Sequence, residues 1–150
     1  MVNPDCRADP TLALSQAIDL IAAGDPEAAL PLLEGVDLDH PDAAAALAAI
    51  RLAQHRPADA LAALDRAIEI EPGFPLHHWN AAVALHQLGD LHGCYHAMRR
   101  FLATSAAPTG LAADPAQPAR LARATQLIAE LERTARLRGT SLDQPRRNYR

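Results

Sequence analysis

Three stretches of this chain are variations on one theme. Ala58 to Pro72 reads A-D-A-L-A-A-L-D-R-A-I-E-I-E-P; upstream, Gly24 to Val36 reads G-D-P-E-A-A-L-P-L-L-E-G-V. Downstream, Gly89 to Leu102 reads G-D-L-H-G-C-Y-H-A-M-R-R-F-L. Aligned on the small residues Ala29, Ala60 and Cys94, they recur at spacings of 31 and 34 residues. A period of about 34 residues belongs to helical hairpins stacked in a row, none of which can bury its apolar face alone. Such a row presents surfaces for binding rather than a closed catalytic pocket.

Composition agrees with helices. Nearly half of the 150 residues are apolar but only five are aromatic, so the core must be built from Ala, Leu and Ile. Ala and Leu lead the intrinsic helix scale. The net charge of −4 hides an asymmetry: residues 1–115 carry six Arg against fifteen acids, and residues 116–150 carry eight Arg against three. An acidic body with a basic end argues against a general nucleic-acid binder, which needs a broad cationic surface. The first ten residues, M-V-N-P-D-C-R-A-D-P, hold no apolar signal core. No apolar run approaches the roughly 18 residues of a membrane span. Two cysteines, Cys6 and Cys94, make no disulfide framework, so reduced thiols in a cytoplasmic protein are the expectation.

Residues 1–10 read as an N-terminal arm, and residues 11–104 as three hairpins, 11–41, 42–72 and 75–104. In the first, Leu12, Leu14, Ile18 and Ile21 recur at helical spacing up to Gly24. Asp25-Pro26 then opens a second helix, with Asp as N-cap and Pro where its missing N–H costs nothing. Pro31 falls inside that helix and predicts a kink or an early end. In the second hairpin the turn is His55-Arg56-Pro57, and Pro72 stops the second helix. The third turns at Gly89-Asp90. Residues 105–114 read as a linker, 115–138 as a capping helix, and 139–150 as a flexible basic tail. Asp114-Pro115-Ala116-Gln117 has the form of a capping box at the start of that helix. Its stripe of Leu121, Ala124, Leu127, Ile128, Leu131 and Ala135 buries one face and leaves the arginines outside.

These hairpins resemble tetratricopeptide repeats. Leu47, Ala48, Ala60, Leu64, Ala67 and Pro72 carry the pattern in the second. Ala82, Gly89, Cys94, Met98, Phe101 and, displaced by two residues, Pro108 carry it in the third, and Ala17, Gly24, Ala29, Leu33 and Pro41 in the first. The large aromatic usual near the start of the first helix is absent from repeats one and two. The resemblance implies an all-α solenoid of three antiparallel hairpins with a C-terminal cap. It also implies a groove lined by the first helix of each repeat.

Carried over residue by residue, that groove consists of Leu14, Ser15 and Ile18, then Ala45, Ala46 and Ala49, then Trp79, Asn80, Val83, His86 and Gln87. The implied function is a non-catalytic adaptor or chaperone that holds a protein or peptide segment against this wall. Trp79, the only tryptophan, has two readings: a binding anchor in the groove, or a core residue packed on the C-terminal helix. No cation stands on the groove face of repeats two or three, which excludes a grip on a terminal carboxylate.

His92 and His96, four apart on a helix, have the spacing of two ligands to one metal, but no clear third ligand joins them. No nucleophile motif, phosphate loop or carboxylate pair emerges, so neither catalysis nor a cofactor is expected. Self-assembly is a separate reading, with the basic helix at 115–138 docking on the acidic body of a second copy to give a homodimer. A narrower reading rests on Glu71-Pro72-Gly73-Phe74-Pro75, which resembles a stretch before the third repeat of class II chaperones of type III secretion.

Overall fold

Proline and glycine punctuate the whole chain. The computed structural model describes residues 9–37, 39–106 and 116–143. It divides into two compact units, the first ending at Glu71 and the second beginning at Pro72. Unit 1 holds α1 (Pro10–Ala22), α2 (Pro26–Leu33), α3 (Pro41–Ala53) and α4 (Pro57–Ile70). Unit 2 holds α5 (Pro75–Gln87), α6 (Leu91–Ser105) and α7 (Gln117–Arg138). The described residues contain helices and no strand, so the fold is all-α as the spacing predicts.

Helices α1 to α5 each begin on a proline. At the first helical position its fixed φ is already helical and its absent N–H is one that no carbonyl could have satisfied. The ends are equally regular. The second residue past α1, Gly24, takes φ +86°, and the following Asp25 N–H returns to the Leu20 carbonyl at 2.9 Å. Gly89 at φ +77° does the same after α5, where Asp90 N–H reaches the Leu85 carbonyl at 2.9 Å. After α3 the left-handed residue is His55, φ +55°, with Arg56 N–H on the Arg51 carbonyl at 2.8 Å. All three are Schellman closures, and each leads directly into the next helix. The pairs α1·α2, α3·α4 and α5·α6 therefore pack together. Ala29, Ala60 and Cys94 are fully buried on the second helix of each pair, where a small side chain lets two backbones approach.

Pro31 has the effect expected of it. Helix α2 is only eight residues long and ends two residues past the proline. Unit 1 is held by a core of Leu14, Ala17, Ala29, Leu33, Ala43, Ala46 and Ile50. In unit 2, α7 packs on α6 through the buried Ala124, Leu127, Leu131 and Ala135, while Leu121 and Ile128 are half-buried. Gln117, the glutamine of the expected capping box, opens the described part of this helix and donates from Nε2 to Ser105 Oγ at 3.0 Å. Asp114 and Pro115 of that expectation lie outside the described residues, as do 1–8 of the arm, 107–114 of the linker and 144–150 of the tail. Thr140 N–H closes on the Ala135 carbonyl at 2.9 Å, and His96 Nε2–H donates to the Leu142 carbonyl at 2.7 Å. Backbone closure and one side-chain donor hold this piece without any apolar periodicity.

Two local conflicts yield predictions. The second repeat has the least suitable turn chemistry: a β-carbon in the left-handed region at His55, and Arg56 at an N-cap position where it makes no capping bond. At the matching positions Asp25 and Asp90 accept from Ala28 N–H at 3.2 Å and Gly93 N–H at 2.9 Å. His55→Gly should stabilise the chain by about 1 kcal/mol, and Arg56→Ser should add roughly 0.5 kcal/mol more, a new cap set against loss of the exposed Arg56–Asp59 ion pair. Urea midpoints test this, and a loss of stability in the double variant would contradict it.

The second conflict is His77. It is fully buried beside Phe74, ring centroids 4.6 Å apart, and neither ring nitrogen has a hydrogen-bond partner among the described residues. Burial, with His78 adding, pulls its pKa from 6.5 to about 4. The folded state thus favours the neutral ring, while the unfolded chain titrates near the ordinary value. This contribution is complete above pH 6.5 and is lost as the pH falls toward 4, about 2 kcal/mol of it between pH 7 and pH 5. Burial lowers the pKa of His78 as well, so it acts in the same direction. Wild type should therefore lose stability over this window, and His77→Leu should flatten the slope. Equal slopes would show that another group controls it.

Candidate functional site

In unit 1 the early end of α2 leaves a seven-residue connection before α3. Its Val36 and Asp37 stand opposite α1 and make a cleft of about 440 Å³. The cleft is lined by Leu14, Ser15, Ile18 and Asp19 of α1, by Val36 and Asp37, and by His40 and Asp42 where α3 begins. Arg66 of α4 pins the connection, donating from Nε and a terminal nitrogen to the two carboxylate oxygens of Asp39 at 2.5 and 2.9 Å. That hydrogen bond holds the Asp39 carboxyl below the usual carboxylate range. The connection's part in the site was missed at the level of residues, although Pro31 was the available signal.

Of the first-repeat residues expected on the groove, Ser15 and Ile18 are exposed, Ile18 at 43 %. Leu14 is buried in the core and shows only its edge to the cleft. The second repeat departs further from expectation. Ala45 and Ala46 are buried and Ala49 is half-buried. The reason is that α3 packs against α1, α2 and α4, so an alanine-rich helix is enclosed on several sides and keeps little open face.

In unit 2, Asn80 is buried rather than presented to a ligand. Trp79 and Val83 are half-buried, and His86 and Gln87 are exposed. The Trp79 indole lies tilted over the Phe101 ring of α6, centroids 5.3 Å apart. Trp79 is thus anchored on its own repeat's second helix and still keeps part of its ring open. Four α5 residues, Trp79, Val83, His86 and Gln87, make this exposed face.

The histidine pair does not assemble a metal centre. His92 and His96 are adjacent, ring centroids 4.9 Å apart, but no group of three or more His, Cys, Asp or Glu among the described residues is placed to hold an ion. His96 spends its Nε2–H on the Leu142 carbonyl. A second cleft, of about 450 Å³, lies in unit 2 near His92, walled by Leu88, Leu131 and Leu142 with Asp90 and Arg138. Its hydroxyls are turned to local bonds: Thr134 Oγ1 donates to the Glu130 carbonyl and Ser141 Oγ to Asp143 Oδ2. Burial pushes the Cys94 thiol up to about 11, away from the thiolate a nucleophile needs.

No helix among the described residues is long and apolar enough to cross a membrane. Residues 20–85 match the family model for the tetratricopeptide repeat. No curated protein and no solved structure matches the chain. Tetratricopeptide repeats generally mediate protein–protein interaction, and the fold is typically non-enzymatic. Matched residues, helix pairs and their repeated closures agree in an all-α helical-repeat fold, and the match over residues 20–85 supports a tetratricopeptide repeat assignment.

Proposed function

We propose that the chain is a non-catalytic adaptor or chaperone that binds a segment of a partner protein on the first helices of its repeats. The observation that carries this reading is the face of α5, where Trp79 rests on Phe101 with part of its indole open. A rigid, partly exposed aromatic is the side chain most often found at the energetic centre of a protein interface. Val83 and His86 lie one and two turns further along the same helix and extend the contact. In repeat one, Ser15 and Ile18 serve the same purpose beside the cleft. The buried free thiol of Cys94 suits a reducing, cytoplasmic setting. The turn at Glu71–Pro75, ahead of the third repeat, is the feature on which the chaperone variant of this reading rests.

Partners retained by the intact chain can be identified by cross-linking and then titrated one at a time. Trp79→Ala should weaken a true groove partner roughly 30-fold, the effect of losing about 2 kcal/mol at a hot spot. Because Trp79 also packs on Phe101, the variant's melting curve is measured alongside. Ile18→Asp, at an exposed position, provides a second reading without a packing cost of that kind. Affinities unchanged in both variants would remove the first-helix wall as the binding face.

A further inference from the structure

Two faces of this chain carry complementary chemistry. One is the cleft in unit 1, with Leu14, Ile18 and Val36 as its apolar floor and Asp19, Asp37 and Asp42 around it. Arg66, the cation that feels Asp37, is already tied to Asp39 through two hydrogen bonds. Asp19 and Asp42 form no ion pair among the described residues. Among the described residues the cleft therefore sets an apolar floor beside carboxylates of which Asp19 and Asp42 pair with no cation.

The other face is the last turn of α7. Leu137 is 83 % exposed, more than any other large apolar side chain among the described residues. Arg136 and Arg138 flank it and Arg133 lies one turn back, all exposed and none in an ion pair among the described residues. Residues 133, 136 and 137 fall on one helix face, where they form a single cationic knob with an apolar tip. Guanidinium groups suit this role because they pair with carboxylates through two parallel bonds and are weakly hydrated.

We propose that the last turn of α7 from a second copy docks in this cleft, with Leu137 entering the floor and the three arginines meeting Asp19, Asp37 and Asp42. The proposal rests on the reading of the first-helix wall of repeat one as a binding face, and it names the occupant. Both halves of the complementarity belong to this one sequence, whose two ends carry opposite charge: six Arg against fifteen acids up to residue 115, eight Arg against three acids beyond. Each contact sets a knob on one copy against a cleft on the other. Exchanged reciprocally it closes as a two-fold dimer, and made in one direction only it is heterologous and extends as a chain or ring. One leucine and three arginines bury less than the roughly 1,200–2,000 Å² of a stable interface, so association is weak and depends on concentration. It also depends on salt, since the screening length falls from about 10 Å at 0.1 M to about 3 Å at 1 M.

The test is sedimentation of the full chain at rising concentration in about 0.1 M and about 1 M salt. The mass should climb above that of the 16.0 kDa monomer at low salt and return toward it at high salt. A cleft variant, Asp19→Arg/Asp42→Asn, and a knob variant, Arg136→Glu/Leu137→Asp, should each stay monomeric, with melting curves showing that both are folded. Mixed together, they should form a one-to-one dimer, because one keeps an intact knob and the other an intact cleft. Wild type that stays monomeric at every concentration, single variants that still associate, or a mixture that stays monomeric would each overturn the proposal. A labelled pentapeptide of arginines around one leucine separates this failure from that of the binding face. If the monomer binds the peptide and the cleft variant does not, the face survives without the second copy; if nothing binds, repeat one loses both.

Discussion

The left-handed residue between paired helices is the constraint from which the rest of this structure follows. At Gly24, His55 and Gly89 the chain reverses in two residues, and the reversal is locked by a backbone N–H returning five residues to a carbonyl. A reversal that tight leaves the following helix no choice but to run back along the preceding one. Only then do Ala29, Ala60 and Cys94 acquire meaning, because a small side chain matters where two backbones must lie close. The period of the sequence is thus the distance between successive reversals. Within repeat two the reversal persists with a residue poorly suited to it, so the packing of α3 on α4 must outweigh the local cost at His55. Local propensity is overruled there by burial, which involves far more surface than one dihedral angle.

Helix existence was legible in the sequence because its signals are local. Proline at a first helical position, glycine past a last one and an apolar stripe every three or four residues each act through a few neighbouring atoms. Exposure was less legible, because it is not a local property. The positions of Ala45, Ala46 and Asn80 on a helix can be counted, but whether a face is open depends on how many other helices press on it. Helix α3 meets three partners within unit 1, a fact no periodicity along α3 itself contains.

Pro31 joins these two levels. As a local signal it shortens α2, and that much could be read in advance. Its further consequence is spatial: α2 ends at Leu33, and Val36 and Asp37 of the connection line a cleft together with residues of α1. A residue costly to a helix interior here makes room for a cleft. Asp39 and Arg66 then hold the connection from its far side with two hydrogen bonds. Being exposed, that pair adds little to stability, and its contribution is to limit where the connection can go.

Charge decides which surfaces such a scaffold can offer. Tetratricopeptide repeats supply the geometry of a wall, but a wall of alanine has no preference among partners. Here the small side chains are spent on packing within each hairpin, which leaves recognition to what surrounds them. In unit 1 that is a ring of aspartates over an apolar floor, and in unit 2 a half-open tryptophan with histidine beside it. Aspartates gathered at one cleft raise the local concentration of any cationic partner and repel an acidic one. An apolar floor alone would accept any hydrophobic side chain of suitable size. With carboxylates around it, the cleft selects an apolar side chain that arrives with positive charge attached, and this makes the two features one site.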